Sequence, residues 1–142
     1  VDVRVVTAVD TAGLRQRVLR PFLTVEEVIA QGDGSPGIAV YEDGRVVACA
    51  NVIEEPMPDD EKPGDWRLRG MASDPELRGQ GYGAAALNAA LTYARERGGA
   101  RVWANCRSGA KGFYEHHGFT AVGEEFHLEP IGPHWLMFRS LS

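Results

Sequence analysis

No apolar run in this 142-residue chain approaches the ~20 residues that a membrane-spanning helix needs, so a membrane protein is not expected. Cysteine is scarce: Cys49 and Cys106 lie far apart, each inside an apolar strand-like run. They form no C-x-x-C and no His/Cys ligand spacing, and they read as buried thiols of a reducing cytosol. His116, His117 and His127 add no metal-ligand spacing, so no metal is expected. A block of positive charge is also missing. The 15 Lys and Arg are scattered among 20 Asp and Glu, for a net charge of −5, which argues against a nucleic-acid partner. The acidic balance mildly favours cationic partners such as amines. The first residues, "VDVRVV", carry no basic segment leading into an apolar stretch, so no targeting peptide is expected in them and a cytoplasmic location is.

What is present is an ordinary globular composition, 44% hydrophobic and 25% charged, in a length that suits a single domain over 1–142. "VRVVTA" at 3–8 reads as a strand, and Asp10 or Thr11 would cap a short helix that stops near Arg20 because Pro21 follows. Thr24 and Glu27 have capping-box spacing for a second helix ending before Gly32, and 31–36 reads as loop. Two β-rich runs flank Asp43-Gly44, a dipeptide that tolerates the positive φ angles of a tight hairpin. Residues 56–65, with three prolines and four acids, form a loop before the strand "WRLRGMAS". A helix with Ala84, Leu87, Leu91 and Ala94 on one stripe runs to Gly98-Gly99. "RVWANC" is another strand, Ser108 would cap a helix carrying Ala110, Phe113, Tyr114 and His117 up to Gly118, and two strands close the chain. The order β, α, α, β, β, β, α, β, α, β, β predicts a mixed α/β sheet with helices on both faces.

Between "WRLRGMAS" and the alanine-rich helix lies "RGQGYGAAAL", with glycines at 79, 81 and 83 after Arg78. A strand passing through glycines into a helix start presents unobstructed backbone N–H groups at the positive end of a helix dipole, which is an anion site. Arg78 adds a charged donor at the rim, and a diphosphate-bearing cofactor suits the turn. A purely structural tight turn is the alternative. A nucleoside-triphosphate loop is excluded because 84–87 are Ala-Ala-Ala-Leu where a Lys-Ser or Lys-Thr is needed. Gly79, Gly81 and Ala84 do satisfy G-x-G-x-x-A, but Arg101 and Val102 stand where a dinucleotide site needs a ribose-binding acid.

These residues resemble the GNAT superfamily of N-acetyltransferases, whose acetyl-CoA signature is Arg/Gln-x-x-Gly-x-Gly/Ala. Arg78, Gly81 and Gly83 match it, and "ASDPELRGQGYG" and "GFYEHHGF" extend the likeness, most strongly over 66–122. The resemblance implies a mostly antiparallel sheet of six to seven strands, and an acetyl-CoA-dependent transfer to a primary amine by direct attack on the thioester. It implies that Met71, Ala72 and Ser73 pair with the pantetheine arm in the gap between splayed strands. It further implies that the amides of Gly79, Gln80, Gly81, Tyr82, Gly83 and Ala84 hold the pyrophosphate. Tyr114 matches the family's general acid, although its periodicity alone makes it a core aromatic beside Phe113. Arg107 stands where the family often has asparagine, so either Asn105 takes part of that role or Arg107 contacts a CoA phosphate. A homodimer is a state to test.

An amine acceptor with a pKa near ~10.4 must lose a proton at or before attack. Candidate bases are Glu54 and Glu55 at a strand end, and Glu125 and His134 on the last hairpin; each also reads as a plain surface group. Arg15, Arg17 and Arg20, with Glu26 and Glu27, lie on the early helices, either sorting acceptors by charge or forming a solvated face. A binding-only acyl-CoA sensor is the alternative from another class, and a dinucleotide-binding protein a lesser one.

Overall fold

The computed structural model describes residues 1–32 and 36–141. Its elements are β1 (Asp2–Val6), α1 (Ala8–Leu19), α2 (Val25–Ala30), β2 (Gly37–Glu42), β3 (Arg45–Glu54), β4 (Asp65–Ser73), α3 (Tyr82–Glu96), β5 (Arg101–Arg107), α4 (Lys111–His116), β6 (Thr120–Leu128) and β7 (Gly132–Ser140), with 3-10 turns at Pro75–Leu77 and Ser108–Ala110. This is the order expected from the sequence. The seven strands form one sheet in the order β1-β2-β3-β4-β5-β7-β6. Every pairing is antiparallel except β4 with β5.

Strand alternation puts the helices on opposite faces. Ala48 and Ala50 of β3 join the main core with Leu87, Leu91 and Ala94 of α3, whereas Cys49 between them packs with Leu14 of α1 and Ala72 of β4. Tyr114 and Phe119 belong to the main core, so α4 shares the α3 face. Both cysteines are free and buried, and burial pushes each thiol up to about 12.

Local chemistry explains the boundaries. At the hairpin, Asp43 and Gly44 both take positive φ, 52° and 78°. Thr24 and Glu27 make the reciprocal capping box, at 3.0 and 3.1 Å. Two helix starts differ from expectation. The cap of α1 is Thr7 rather than Asp10 or Thr11, because Asp10 sits three residues in and its carboxylate accepts from the Thr7 N–H at 3.3 Å. This also shortens the first strand to Val6. Ser108 does not cap α4; it opens the 3-10 turn, and its hydroxyl donates to Glu125 at 2.7 Å. Of the loop expected at 31–36, residues 33–35 lie outside the described residues. No helix among the described residues is long and apolar enough to cross a membrane.

Candidate active site

β4 and β5 are register partners over only three residues each, Asp65–Arg67 against Arg101–Trp103. Beyond Arg67 and Trp103 they part, so the inner edges of two central strands face each other without pairing. Unpaired strand edges inside a sheet demand partners. The gap opens into a cavity of about 890 Å³. Where it begins, Gly70 takes φ +63°, and the pairing with β3 slips between Cys49 and Asn51, so β4 bulges. Only glycine fits there: a Cβ would lie 2.7 Å from Asn51 Oδ1.

The glycine turn forms one wall. Gly79 and Gly81 adopt φ of 86° and 84°, and a Cβ on either would meet nothing within 4 Å. The glycines therefore serve backbone conformation there. Gly83 is helical, with Met71 Cε and the Ser73 side chain 3.8 Å from where its Cβ would be, so α3 passes close to β4. The fifteen-residue helix α3 starts with no side-chain cap. Its backbone bonding begins with Ala85 N–H to Gly81 carbonyl at 3.0 Å, which leaves the N–H groups of Tyr82, Gly83 and Ala84 without an intrahelical partner. Met71, Ala72, Ser73, Arg78, Gly79, Gly81, Tyr82, Gly83 and Ala84 all line the cavity; Gln80 does not.

Strand parity divides the remaining groups between the two faces. Ala104 and Cys106 of β5 face the α3 side, as does Tyr114. Asn105 and Arg107 therefore face the α1 side, and His134, the cross-strand partner of Arg107, shares it. All four, Asn105, Arg107, Tyr114 and His134, line the cavity. Tyr114 is 6% exposed, wedged edge-on between Phe113 and Phe119, and its hydroxyl has no hydrogen-bond partner among the described residues. Burial, with the neighbouring Cys106 adding to it, raises the phenol above its ordinary value, so it stays protonated and able to donate. His134 is 4% exposed and stacks on Phe126. Its Nδ1 lies 2.8 Å from the Gly132 carbonyl oxygen, which places the ring proton on Nδ1 and leaves Nε2 as the basic nitrogen.

Other groups fall elsewhere. Glu54 pairs in register with Trp66, at the end where β4 and β5 are joined, and is not part of the cavity. Glu55 holds Arg67 at 3.0 Å. Glu125 is exposed and accepts from Ser108, so it too lies off the cavity wall. Arg107 donates to the Leu19 carbonyl at the end of α1, 2.7 Å away. That bond ties it to the face opposite the glycine turn, against a contact with a phosphate held there. Arg15 and Arg20 line the cavity, whereas Arg17 is turned to Asp74 at 3.5 Å, and Glu26 and Glu27 are absent from the wall. Among the described residues no group of three or more His, Cys, Asp or Glu stands together as a metal would require.

Sequence reasoning missed Asn51, Arg67 and Arg69 on the wall. For the arginines a signal existed: in "WRLRG" they alternate with Trp66 and Leu68, which face the core, so they had to share the other face of a central strand. Asn51 is 4% exposed, and its Oδ1 is buried without a partner.

Comparison with known proteins agrees with this geometry. The model of the acetyltransferase (GNAT) family matches residues 11–119. A protein of Bacillus subtilis (strain 168) named Uncharacterized N-acetyltransferase YitI is 31% identical over 143 residues, covering 99% of this chain and 96% of that one. Two solved structures share the fold at low identity. The ribosomal-protein-S18-alanine N-acetyltransferase from Escherichia coli has TM-score 0.75 and 19% identity, over 99% of this chain and 94% of that one. An aminoglycoside 6'-N-acetyltransferase complexed with coenzyme A has TM-score 0.73 and 14% identity, over 94% and 89%.

Proposed function

This chain belongs to the acetyltransferase (GNAT) family, and we propose that it moves an acetyl group from acetyl-CoA to a primary amine through the β4–β5 gap, as one catalytic domain over 1–142. Acyl-CoA-dependent N-acetyltransfer is the activity of the family. The choice of acetyl as the acyl group and the roles of individual residues are our reading. One observation carries it: two facing strand edges lack partners beside a helix start whose first N–H groups are also open. A pantetheine arm, with two amides, pairs as a strand would, and a pyrophosphate satisfies the helix start.

The donor supplies an activated acyl carbon; the amine nitrogen bonds to it as the C–S bond breaks. This chain's residues do the rest. The turn from Gly79 to Ala84, with Arg78 at its rim, holds the pyrophosphate on the α3 face. Backbone N–H groups at the Gly70 bulge, around Met71 to Ser73, polarise the thioester carbonyl. Tyr114, on that same face, donates its phenolic proton to the departing thiolate. His134 faces the α1 side, where the amine enters, and Nε2 takes the amine proton directly or through one water. Asn105, on the same face, orients the amine.

Thiol release with acetyl-CoA across a panel of primary amines tests the reading, with Tyr114→Phe as control. Turnover that falls about a hundredfold in the variant supports it. A chain that binds acetyl-CoA but releases thiol with no amine is a sensor, and the proposed roles of Tyr114 and His134 fail.

A further inference from the structure

Arginine lines the cavity densely in a chain of net charge −5. Arg15, Arg20, Arg67, Arg69, Arg78 and Arg107 line it, and no Asp, Glu or Lys does among the described residues. Only Arg78 belongs to the glycine turn. Arg67, Arg69 and Arg107 lie on the α1 face by strand parity, and Arg15 and Arg20 come from α1 and its end.

Some of the chain's arginines, Arg67 on this wall among them, have carboxylate partners. Arg101 is held by Asp65 and Asp60, Arg17 and Arg45 by Asp74, and Arg67 by Glu55. Arg20 and Arg107 do not. Both donate to one carbonyl, that of Leu19, at 3.1 and 2.7 Å, and no carboxylate pairs with either among the described residues. Both are partly buried, which lowers both guanidinium pKa values; at Arg20 the charges of Arg107, Arg69 and Arg15 add to the effect. Two guanidinium groups gathered at one carbonyl and partly desolvated, as Arg20 and Arg107 are, destabilise each other until an anion joins them. The pyrophosphate is not that anion, because the glycine turn lies on the other face.

From this clustering we infer that the acceptor is an amine that also carries an anionic group, a carboxylate or a phosphate, held by the guanidinium forks of Arg20 and Arg107 while the amine reaches the thioester. The inference rests on the acetyltransfer reading and narrows its substrate. Forked guanidinium groups match both oxyanions, and a polyamine or aminoglycoside would meet repulsion on the same wall. The overall acidity of the chain points the other way, toward cationic partners, but the acceptor meets the local field of the cavity. The product is the N-acetyl amide with its anionic group intact.

The test uses the full chain. Acetyl-CoA binding is first read as a thermal shift. Thiol release is then compared within amine pairs that differ only in the acid: β-alanine and β-alaninamide, L-phenylalanine and L-phenylalaninamide, phosphoethanolamine and ethanolamine, with spermidine as the cationic arm. We expect kcat/KM at least tenfold higher for the acidic member of one class of pair, which also decides between carboxylate and phosphate, and least activity with spermidine. Arg20→Gln should cut that acid-to-neutral ratio about tenfold while keeping the acetyl-CoA shift. Ratios at or below one in every pair, no turnover of any acidic amine, or loss of the acetyl-CoA shift in Arg20→Gln would each overturn the inference. A wild-type protein with no acetyl-CoA shift fails earlier, at the reading of the donor site.

Discussion

The pair β4–β5 is two regions in one. In its first half, Asp65–Arg67 against Arg101–Trp103, the strands are in register. Arg101 meets Asp65 at 2.8 Å, the Asp65 carboxylate accepts from the N–H groups of Met57 and Lys62, and the Trp103 indole donates to the Glu55 carbonyl. In its second half the same strands carry unpaired edges and a bulge at Gly70; beside them stand the Tyr114 phenol of α4, without a hydrogen-bond partner among the described residues, and Arg20 and Arg107 on one carbonyl. The Asp65–Arg101 clasp marks the half that holds the fold; the unpaired strand edges mark the half that we propose takes ligand.

Mutations on the two sides should therefore separate stability from activity. The largest effect belongs to Asp65→Asn, which leaves the Arg101 guanidinium buried with only Asp60 as anion and should cost roughly 3 kcal/mol of unfolding free energy. Chemical denaturation would measure it, and the increment in midpoint given by saturating acetyl-CoA should survive. On the other side, Tyr114→Phe should lower kcat about a hundredfold, some 2.7 kcal/mol, while its melting temperature stays within a few degrees of wild type. Loss of stability in place of rate would make Tyr114 a core residue only.

Gly81→Ala comes next. With φ at 84° and open space around it, its cost is backbone strain of roughly 1–2 kcal/mol. The strain should appear as about tenfold weaker acetyl-CoA binding in a titration. His134→Gln should reduce kcat roughly tenfold with KM for acetyl-CoA unchanged, since His134 faces the acceptor side. The smallest effect is a pH dependence. Burial alone would raise the Asp65 carboxyl, but the Arg101 hydrogen bonds, the Lys62 and Met57 N–H groups and the Arg101 charge outweigh it and hold it at about 2. A carboxyl depressed on folding stabilises above its unfolded pKa and loses that contribution as pH falls through the folded one. Between about pH 4 and 2 the wild type should thus lose its advantage over Asp65→Asn, as parallel denaturation curves would show.

The glycine turn and several element boundaries were legible in the sequence because their chemistry is local. Gly79, Gly81 and Gly83 occur within one turn, the Thr24 and Glu27 box within one helix start, and Asp43-Gly44 within one hairpin. The clasp was not legible, since Asp65 and Arg101 are 36 positions apart and nothing in "PGDWR" or "GARVW" announces that they meet. Long-range choices decided the bases as well. Glu54 was legible only as a strand end, and antiparallel register carries the end of β3 to the joined half, while His134, beyond the last turn, comes back to the cavity beside Arg107. The arginine cluster draws on α1, β4 and β5, so no single stretch shows it.

The most direct test of the central claim, that the open half of β4–β5 is an acyl-CoA site, is thermal unfolding with acetyl-CoA, CoA and NAD in parallel. A ligand at a hundred times its Kd stabilises by ~2.7 kcal/mol, roughly 5–10 °C for a chain of this length. A saturating shift with both CoA forms and none with NAD is the predicted result. No shift with either CoA form, or an equal shift with NAD, would contradict the account.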